Sequence, residues 1–431
     1  MRIRNMLFST ALVVPTMIAG CGSDDDPAAC GGEGVICTFM GDGVAGLGED
    51  GVLPEDVSLY LPQDLDFGPD GQPYVLDWNN HRVRTLDANG TVQTVVGNGY
   101  LGDAPDGNAK GASLNHPTHV SFTPTGKMLV SAWHNSKLVE VDLQANTMAA
   151  ICGDGSRAYR GDGGPASEAW LDLPVAAVYD SQGRIFISDQ ANQRIRMIDQ
   201  EGMITSVVGP SEDYLPDGLV RVCTADPDNL DQVVCKSCLE AEAEDPQCVD
   251  QPIGRPQGFS GDGGPASEAL LYLPFSQSAP PAGRIDIGPD DVLYIVDTGN
   301  HRIRTVTPDG TIQTVAGSGP ATFDPSFRGG YSGDGGPATD AMFSRPTDIV
   351  VDDAGNFYVA DTDNSCVRRV DGATGIITTA AGVCGQRGFA GDGDKAEEAL
   401  LDRPYGVALD ADGNLYIADT HNHRIRVVYR Q

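Results

Sequence analysis

The sequence predicts an all-β fold, and more specifically a six-bladed β-propeller. Three observations lead to this prediction. A unit of short alternating strand segments recurs six times along the 431 residues, and a repeat of about forty to sixty residues with four strands is typical of a propeller blade. The chain has 54 Gly and 28 Pro, which suits many tight turns. No segment has the pattern of a long amphipathic helix.

The second strand of the unit gives the count of six. Its copies share an alternating apolar run that ends, in most cases, on aspartate; they are Tyr74–Asp77, Met128–Ala132, Ile185–Asp189, Tyr294–Asp297, Tyr358–Asp361 and Tyr416–Asp419. A third strand follows each copy after a short turn; the predicted segments are His81–Arg84, Lys137–Glu140, Gln193–Arg196, His301–Arg304, Cys366–Arg368 and His423–Arg426.

The last unit contains no fourth strand of its own. Residues 35–43 align with outer strands such as Ile312–Gly317, and they precede any first strand. The sequence therefore predicts that the N-terminal strand completes the sixth blade, which would leave no open edge between the first and last blades.

Residues 1–20 have the parts of an export signal: a cationic start, an apolar run and small residues before Cys21. The run before Cys21 resembles the lipobox of bacterial lipoproteins, which implies that Cys21 carries lipid. The predicted organisation is a signal peptide at 1–20, a flexible tether at 21–34 and a propeller at 35–431. We expect an exported protein that is lipid-anchored in the cell envelope, with the outer membrane or surface favoured.

Export also explains the cysteines, because disulfides persist in oxidising compartments. Cys366 and Cys384 flank one predicted strand turn and are expected to pair, as are Cys30 and Cys37, which leaves Cys152 as an odd, buried thiol. An insertion at 210–257, between blades 3 and 4, has no predicted strand. It contains four cysteines that predict two local disulfides, with zinc as the alternative: Cys223, Cys235, Cys238 and Cys248.

The third-strand segments carry the motif Asn-His-Arg-Ile-Arg after an Asp-Thr-x step, as in 419–426. This motif resembles the NHL repeat, over roughly residues 35 to 431. Loops of the type Gly-Asp-Gly-Gly-Pro-Ala, at 161–166, 261–266 and 333–338, are similar to the long-repeat branch that includes teneurin-like NHL domains. The resemblance implies a six-bladed propeller and, more often than an enzyme, an interaction scaffold.

The formal net charge of −33 would repel nucleic-acid phosphates and anionic membrane surfaces. Nucleic acid is therefore excluded as a partner, and contact with a membrane is expected only through the lipid. A protein or glycan ligand is predicted instead.

Residues that recur in nearly every blade are interpreted as scaffold. The Asp, Asn, His and Arg of the motif are expected to cap turns and bond neighbouring carbonyls. The Gly-Asp-Gly loops carry one carboxylate each, fewer than calcium needs, so turn chemistry is favoured there.

Positions where the blades differ are better candidates for function. Alternation along the inner strand places one parity toward the central channel, and the polar channel candidates are Asp64, Asp66, His119, Ser121, Arg284, Asp286 and Asp348. Asp64, His119 and Asp348 are the metal candidates, with calcium or zinc in the channel as the alternative to no cofactor. Secondary candidates lie in the second blade, which departs most from the motif: His116, Trp133 and His134.

Two function classes follow. The favoured one is a binding or scaffold protein that recognises a protein or glycan through the loop face. The alternative is a metal-dependent hydrolase or lyase, lactonase-like or amidating-lyase-like, which would use Asp64, His119, Arg284 and Asp348. No nucleophile–base pair stands out in the sequence, and this favours binding over catalysis.

Overall fold

The computed structural model describes residues 30–210, 219–225, 233–239, 257–275 and 281–430. For 219–225 and 233–239 it describes the backbone only. Within these ranges there is no α-helix, and no helix is long and apolar enough to cross a membrane.

Six four-stranded antiparallel sheets form six blades, each ordered from the inner to the outer strand. Blade 1 contains β2 (Asp64–Phe67), β3 (Pro73–Asp77), β4 (Arg82–Leu86) and β5 (Val92–Val96). Blade 2 contains β7 (His119–Phe122), β8 (Met128–Ala132), β9 (Lys137–Asp142) and β10 (Thr147–Cys152). Blade 3 contains β12 (Pro174–Tyr179), β13 (Ile185–Asp189), β14 (Arg194–Ile198) and β15 (Met203–Val208). Blade 4 contains β18 (Ile285–Gly288), β19 (Val292–Asp297), β20 (Arg302–Val306) and β21 (Ile312–Ala316). Blade 5 contains β22 (Asp348–Val351), β23 (Phe357–Asp361), β24 (Cys366–Val370) and β25 (Ile377–Ala381). Blade 6 contains β26 (Gly406–Leu409), β27 (Leu415–Asp419), β28 (Arg424–Val428) and β1 (Ile36–Met40).

The inner strands contact one another in turn and close a ring around a central channel. Apolar side chains of neighbouring blades pack between the sheets; Leu76, Val120 and Val130, for example, belong to one core cluster between blades 1 and 2. The predicted six-bladed propeller is confirmed.

The N-terminal strand closes the ring as predicted. β1 pairs antiparallel with β28, with Ile36 opposite Val428 and Met40 opposite Ile425. A disulfide joins Cys30 to Cys37, the second residue of this strand. The predicted bridge between Cys366 and Cys384 is also present, and Cys152 is a buried free thiol.

The two faces of the propeller differ. One face, named here the connecting face, carries the links between blades and a 3₁₀ turn between the second and third strand of each blade: Trp78–Asn80, Trp133–Asn135, Gln190–Asn192, Thr298–Asn300, Thr362–Asn364 and Thr420–Asn422. The opposite hairpin face carries the turn between the first and second strand of each blade and, in blades 1 to 5, the turn between the third and fourth strand, with a 3₁₀ turn at Pro289–Asp291. Because Ile36 lies opposite Val428, the chain enters β1 from the hairpin face.

The glycine loops run along the outer edges of the blades. In blade 4, for example, Gly263 N donates to the Ile312 carbonyl at 2.8 Å, and Ile312 N donates back to Gly264. The remaining short elements of these loops are β6 (Gly107–Asn108), β11 (Gly164–Pro165) and the 3₁₀ turns Pro54–Asp56, Ala166–Glu168, Ala266–Glu268, Ala338–Asp340 and Ala396–Glu398. Covering an exposed edge strand in this way prevents it from pairing with other chains.

One prediction about the insertion is wrong. The segment expected to lack strands contains β16 (Leu219–Ala225) and β17 (Val233–Leu239), which pair antiparallel with Cys223 opposite Cys235. Short β-branched runs such as Val233-Val234 favour a hairpin here despite the acidic surroundings. The side chains of Cys223, Cys235, Cys238 and Cys248, and with them the predicted local disulfides, lie outside the described residues, as do the signal peptide and most of the tether.

In the blades that carry the motif histidine, the third strand begins one residue later than predicted. His81, His301 and His423 end the 3₁₀ turn in a left-handed conformation, and the third strand begins at the next residue. Each ring Nδ1 accepts a hydrogen bond from a backbone N–H of the following blade; the donors are His116, Arg345 and Leu61, at 2.9–3.2 Å. These bonds join consecutive blades, and each such bond between a motif side chain and the next blade is named here the latch.

This latch predicts acid sensitivity. Burial lowers the pKa of His81 to about 4 and also lowers the pKa of His301 and His423. Since an unfolded histidine titrates near 6.5, the latch stabilises the fold above about pH 6.5, and this contribution falls as the pH drops toward about 4. In blade 3 the latch uses Gln193, whose Oε1 accepts from Leu273 N at 2.8 Å.

The triple variant His81→Gln, His301→Gln, His423→Gln should therefore keep its stability at about pH 7 and lose less of it at about pH 4.5 than the wild type. Urea unfolding of both proteins at both pH values measures the difference. Equal losses in the two proteins would contradict the latch.

Candidate functional site

The centre of the candidate site is Arg284, which lies on the propeller axis at the connecting-face end of the channel. Its side chain is almost fully buried, at 1% exposure. Nη1 lies 3.1 Å from Asp64 Oδ1 and 3.0 Å from Asp348 Oδ2. The guanidinium also donates to backbone carbonyls of three other residues, Gln63, Thr118 and Tyr405, at 2.6–3.3 Å.

These acceptors come from blades 1, 2, 5 and 6, while Arg284 itself precedes the inner strand of blade 4. One guanidinium therefore connects five of the six blades. Gly406, the channel-facing residue of blade 6, leaves the necessary room, because a Cβ there would lie 2.5 Å from the Gln63 carbonyl oxygen.

The two carboxylates beside Arg284 also connect neighbouring blades. Asp64 Oδ2 accepts from Val120 N at 2.8 Å, and Asp348 Oδ2 accepts from Val407 N at 2.9 Å. Burial raises the pKa of both carboxyl groups, and the positive charge of Arg284 opposes this rise.

A second layer lies closer to the hairpin face, where Asp66 and Asp286 are half-buried. Asp286 accepts from Ile287 N and from Val351 N of the next blade, both at 2.8 Å. Burial raises the pKa of Asp66 and of Asp286 to about 7. Ser121 completes this layer and donates to the Ala177 carbonyl at 2.7 Å.

The structure thus brings Asp64, Arg284 and Asp348 into one network, and it places His119 within electrostatic range of Arg284, where burial lowers the pKa of His119 to about 3. In the described part of the chain, no group of three or more His, Cys, Asp or Glu side chains is arranged to hold a metal ion. The positive charge between Asp64 and Asp348 is the guanidinium. A role of the channel residues in ligand binding stays a prediction.

The secondary candidates form a separate cluster on the connecting face. His116 Nδ1 lies 3.2 Å from His134 Nδ1, and the His134 ring stacks on Trp133 at 4.0 Å between centroids. Sequence reasoning missed two members, His81 and Trp78, whose rings lie 4.6 and 4.7 Å from that of His116. His119, the third histidine of blade 2, was predicted to face the channel and lies within electrostatic range of Arg284.

The repeated aspartate and arginine form buried pairs in five blades, at 3.5–3.8 Å: Asp77–Arg84, Asp189–Arg196, Asp297–Arg304, Asp361–Arg368 and Asp419–Arg426. Each arginine also bonds the aspartate of a connecting loop, as Arg304 bonds Asp262 at 2.7 Å. In blade 2, Ala132 and Val139 replace both partners of the pair. The pairs and the glycine-loop carboxylates therefore serve the scaffold.

Comparisons with known proteins agree with this architecture. A family model described as the teneurin NHL domain matches residues 33–235, and the NHL repeat model matches residues 343–370 and 401–428. Teneurin-m of Drosophila melanogaster is 25% identical over 423 residues, which cover 91% of this chain and 13% of that protein. NHL repeat-containing protein 2 of Bos taurus is 24% identical over 360 residues, 82% of this chain and 44% of that protein. The chain thus spans less than half the length of these relatives.

Among solved structures, two proteins of Bacteroides have the same fold. An auxiliary nutrient binding protein from Bacteroides thetaiotaomicron aligns with a TM-score of 0.57 at 15% identity, over 91% of this chain and 75% of that one. One from Bacteroides ovatus aligns with a TM-score of 0.57 at 17% identity, over 91% and 76%. Together with the six four-stranded blades, the family matches show that the chain is an NHL-repeat β-propeller.

Proposed function

We propose that this protein is an envelope-anchored binding protein that recognises a protein or glycan through the connecting face of the propeller. The observation that carries the proposal is the network around Arg284. It fills the channel at the connecting-face end with a side chain that already has five acceptors. Ligand contacts are then left to the surface of that face, where the blades differ in sequence.

The catalytic alternative loses support from the same network. A metal-dependent hydrolase or lyase would need Asp64 and Asp348 as ligands or bases. Asp64, however, uses one oxygen for Arg284 and the other for Val120 N, and Asp348 Oδ2 accepts from both Arg284 and Val407 N. The two Bacteroides proteins of the same fold are described as auxiliary nutrient binding proteins, which also supports a binding role.

Site-specific photo-crosslinking tests the binding face. The full-length protein, with a photoreactive residue at Gln386 or Tyr100 on the connecting face, or at Asn89 or Asp412 in hairpin-face turns, is irradiated in cells. We expect a discrete adduct from at least one connecting-face position and none from the hairpin-face positions. Adducts confined to the hairpin face, or none anywhere, would contradict the proposal.

Anchoring through Cys21 is the second part of the proposal. The chain enters β1 from the hairpin face, so an anchor ahead of it would leave the connecting face free for a ligand. Cys21→Ala should move the protein from the membrane fraction to the soluble fraction, because one signal for stable attachment is lost. Fractionation and immunoblotting measure this shift, with Cys152→Ala as the control variant. Equal membrane retention of both variants would exclude lipidation at Cys21.

A further inference from the structure

Exposed apolar side chains are concentrated in one sector of the connecting face. Of the eight large hydrophobic side chains that are exposed among the described residues, six lie between residues 44 and 101. Tyr100 is 74% exposed, Leu101 61%, Val44 60% and Leu47 58%. Together with Tyr60, these four residues are named here the blade 1–2 patch.

The segments that carry the patch adjoin one another. Ala45 bridges to Leu59, next to Tyr60, and Leu101 bridges to Leu114. Tyr60 O accepts from Asn79 N at 3.1 Å, and Leu114 leads into His116, whose ring contacts Trp78. The cluster of His81, His116, His134 and the two tryptophans therefore lies between the two halves of the patch.

This cluster makes a rigid base. Trp133 is fully buried and donates from Nε1 to Gln190 at 2.8 Å. Trp78 is half-buried, and its indole N–H has no hydrogen-bond partner among the described residues. Aromatic side chains with a polar group at one end are enriched at protein interfaces.

The fold does not require these exposed apolar residues. At the position of Tyr100, the segments that lead into blades 3 and 6 have Ser156 and Gln386, and at the position of Leu101 they have Arg157 and Arg387. Phe389, which is also exposed, is explained by the scaffold because it stacks on Arg424 at 3.9 Å. Among the described residues, no such stacking partner accounts for the exposed side chain of Tyr100 or Leu101, so their exposure points to an interaction.

Charge indicates the kind of partner. The segments 41–60 and 97–106, which carry the patch, contain seven acidic residues and no lysine or arginine. A second copy of this chain, with a net charge of −33, would be repelled. We infer that the blade 1–2 patch is a docking surface for a protein segment with apolar side chains bordered by lysine or arginine. This inference rests on the proposed function and narrows it to one sector and to a protein partner.

A short synthetic peptide of alternating leucine and arginine is the probe, and fluorescence anisotropy measures its binding to the full-length protein. We expect the double variant Tyr100→Ser, Leu101→Ser to bind it at least about tenfold more weakly, a loss of about 1.4 kcal/mol. Gln386→Ala, at the equivalent exposed position of the blade 6 connection, should bind it like the wild type. Peptides with glutamate in place of arginine, or serine in place of leucine, should bind neither protein.

If the double variant and the wild type bound the peptide equally, the binding would be explained by non-specific attraction between the acidic protein and the arginines of the peptide. This result would overturn the inference. Absence of binding by the leucine–arginine peptide would overturn the stated partner chemistry. In the crosslinking experiment, an adduct from Gln386 without one from Tyr100 would support the connecting face as the binding face. It would also show that the blade 1–2 patch is not the docking surface. A glycan adduct at Tyr100 would reject the protein partner while leaving the proposed function in place.

Discussion

Replacing Arg284 with methionine should destabilise the protein by about 3–5 kcal/mol, the range measured when one partner of a buried ion pair is removed. The substitution leaves the carboxylates of Asp64 and Asp348 buried without their cation, and three backbone carbonyls lose the hydrogen bond from the guanidinium. A typical domain is stable by only about 5–15 kcal/mol, so the variant should unfold at a much lower denaturant concentration.

The pH dependence distinguishes this explanation from simple loss of packing. Burial raises the pKa of Asp64 and Asp348, and without Arg284 only hydrogen bonds from backbone N–H groups oppose that rise. The folded variant should then bind protons more readily than its unfolded chain, so its stability should recover as the pH falls from about 8 to 5. The triple variant Arg284→Met, Asp64→Asn, Asp348→Asn should regain part of the loss at neutral pH.

Arg369→Met is the matched control. This arginine forms a pair with Asp371 at 3.4 Å, but both side chains are about one-third exposed, and surface pairs contribute about 0–1 kcal/mol. Urea unfolding of the four proteins provides the comparison. If Arg284→Met and Arg369→Met shift the midpoint equally, or if the loss in Arg284→Met does not depend on pH, the network has no special role.

Deleting residues 30–40 should abolish cooperative folding. The deletion removes the outer strand of blade 6 and exposes the edge of β28. Ile36 and Met40 are fully buried, and burial of each such side chain contributes about 1.5–3 kcal/mol. Circular dichroism and thermal melting would show a broad transition or none.

A shorter deletion that stops at residue 29 should melt like the full chain, since it leaves β1 and the Cys30–Cys37 bridge intact. A synthetic peptide of residues 33–43, added to the longer deletion, should restore a cooperative transition by pairing with β28. An unchanged melting temperature in the longer deletion would reject closure by this strand.

Most of the fold could be predicted from the sequence because short sequence patterns that recur in each blade specify it. The second strands ending on Asp77, Asp189 or Asp419 alternate clearly, and each copy confirms the others. The closing strand was found by its likeness to outer strands such as Ile312–Ala316. The two disulfides were predicted from the positions of their cysteines in the sequence and from the oxidising compartment that export implies. The start of the third strand was predicted one residue too early, at the motif histidine. The left-handed backbone of this residue, at φ 54–55° for His81 and His301, does not alter the alternation of apolar and polar residues, so the sequence pattern does not reveal it.

The candidate site could be predicted only in part. Strand parity indicated that Asp64, Arg284 and Asp348 face the channel, but parity does not say which of them meet. The pairing depends on one arginine that occurs in a single blade and reaches four others, so no repeat could reveal it. The cluster around His116 was half predicted: its members in blade 2 stood out as departures from the motif, whereas His81 looked like an ordinary motif residue.

The entry of the chain into β1 also determines how the molecule responds to force. A pull on the residues before Cys30 passes through the disulfide to Cys37, which lies opposite Val427 within the ladder. When the opposing pull comes from a partner on the connecting face, the load runs along β1 rather than across it, and the backbone bonds between β1 and β28 bear it together instead of opening one after another. A molecule held by its N-terminal end would thus be loaded at the strand that completes its ring, in the direction in which that strand is hardest to remove.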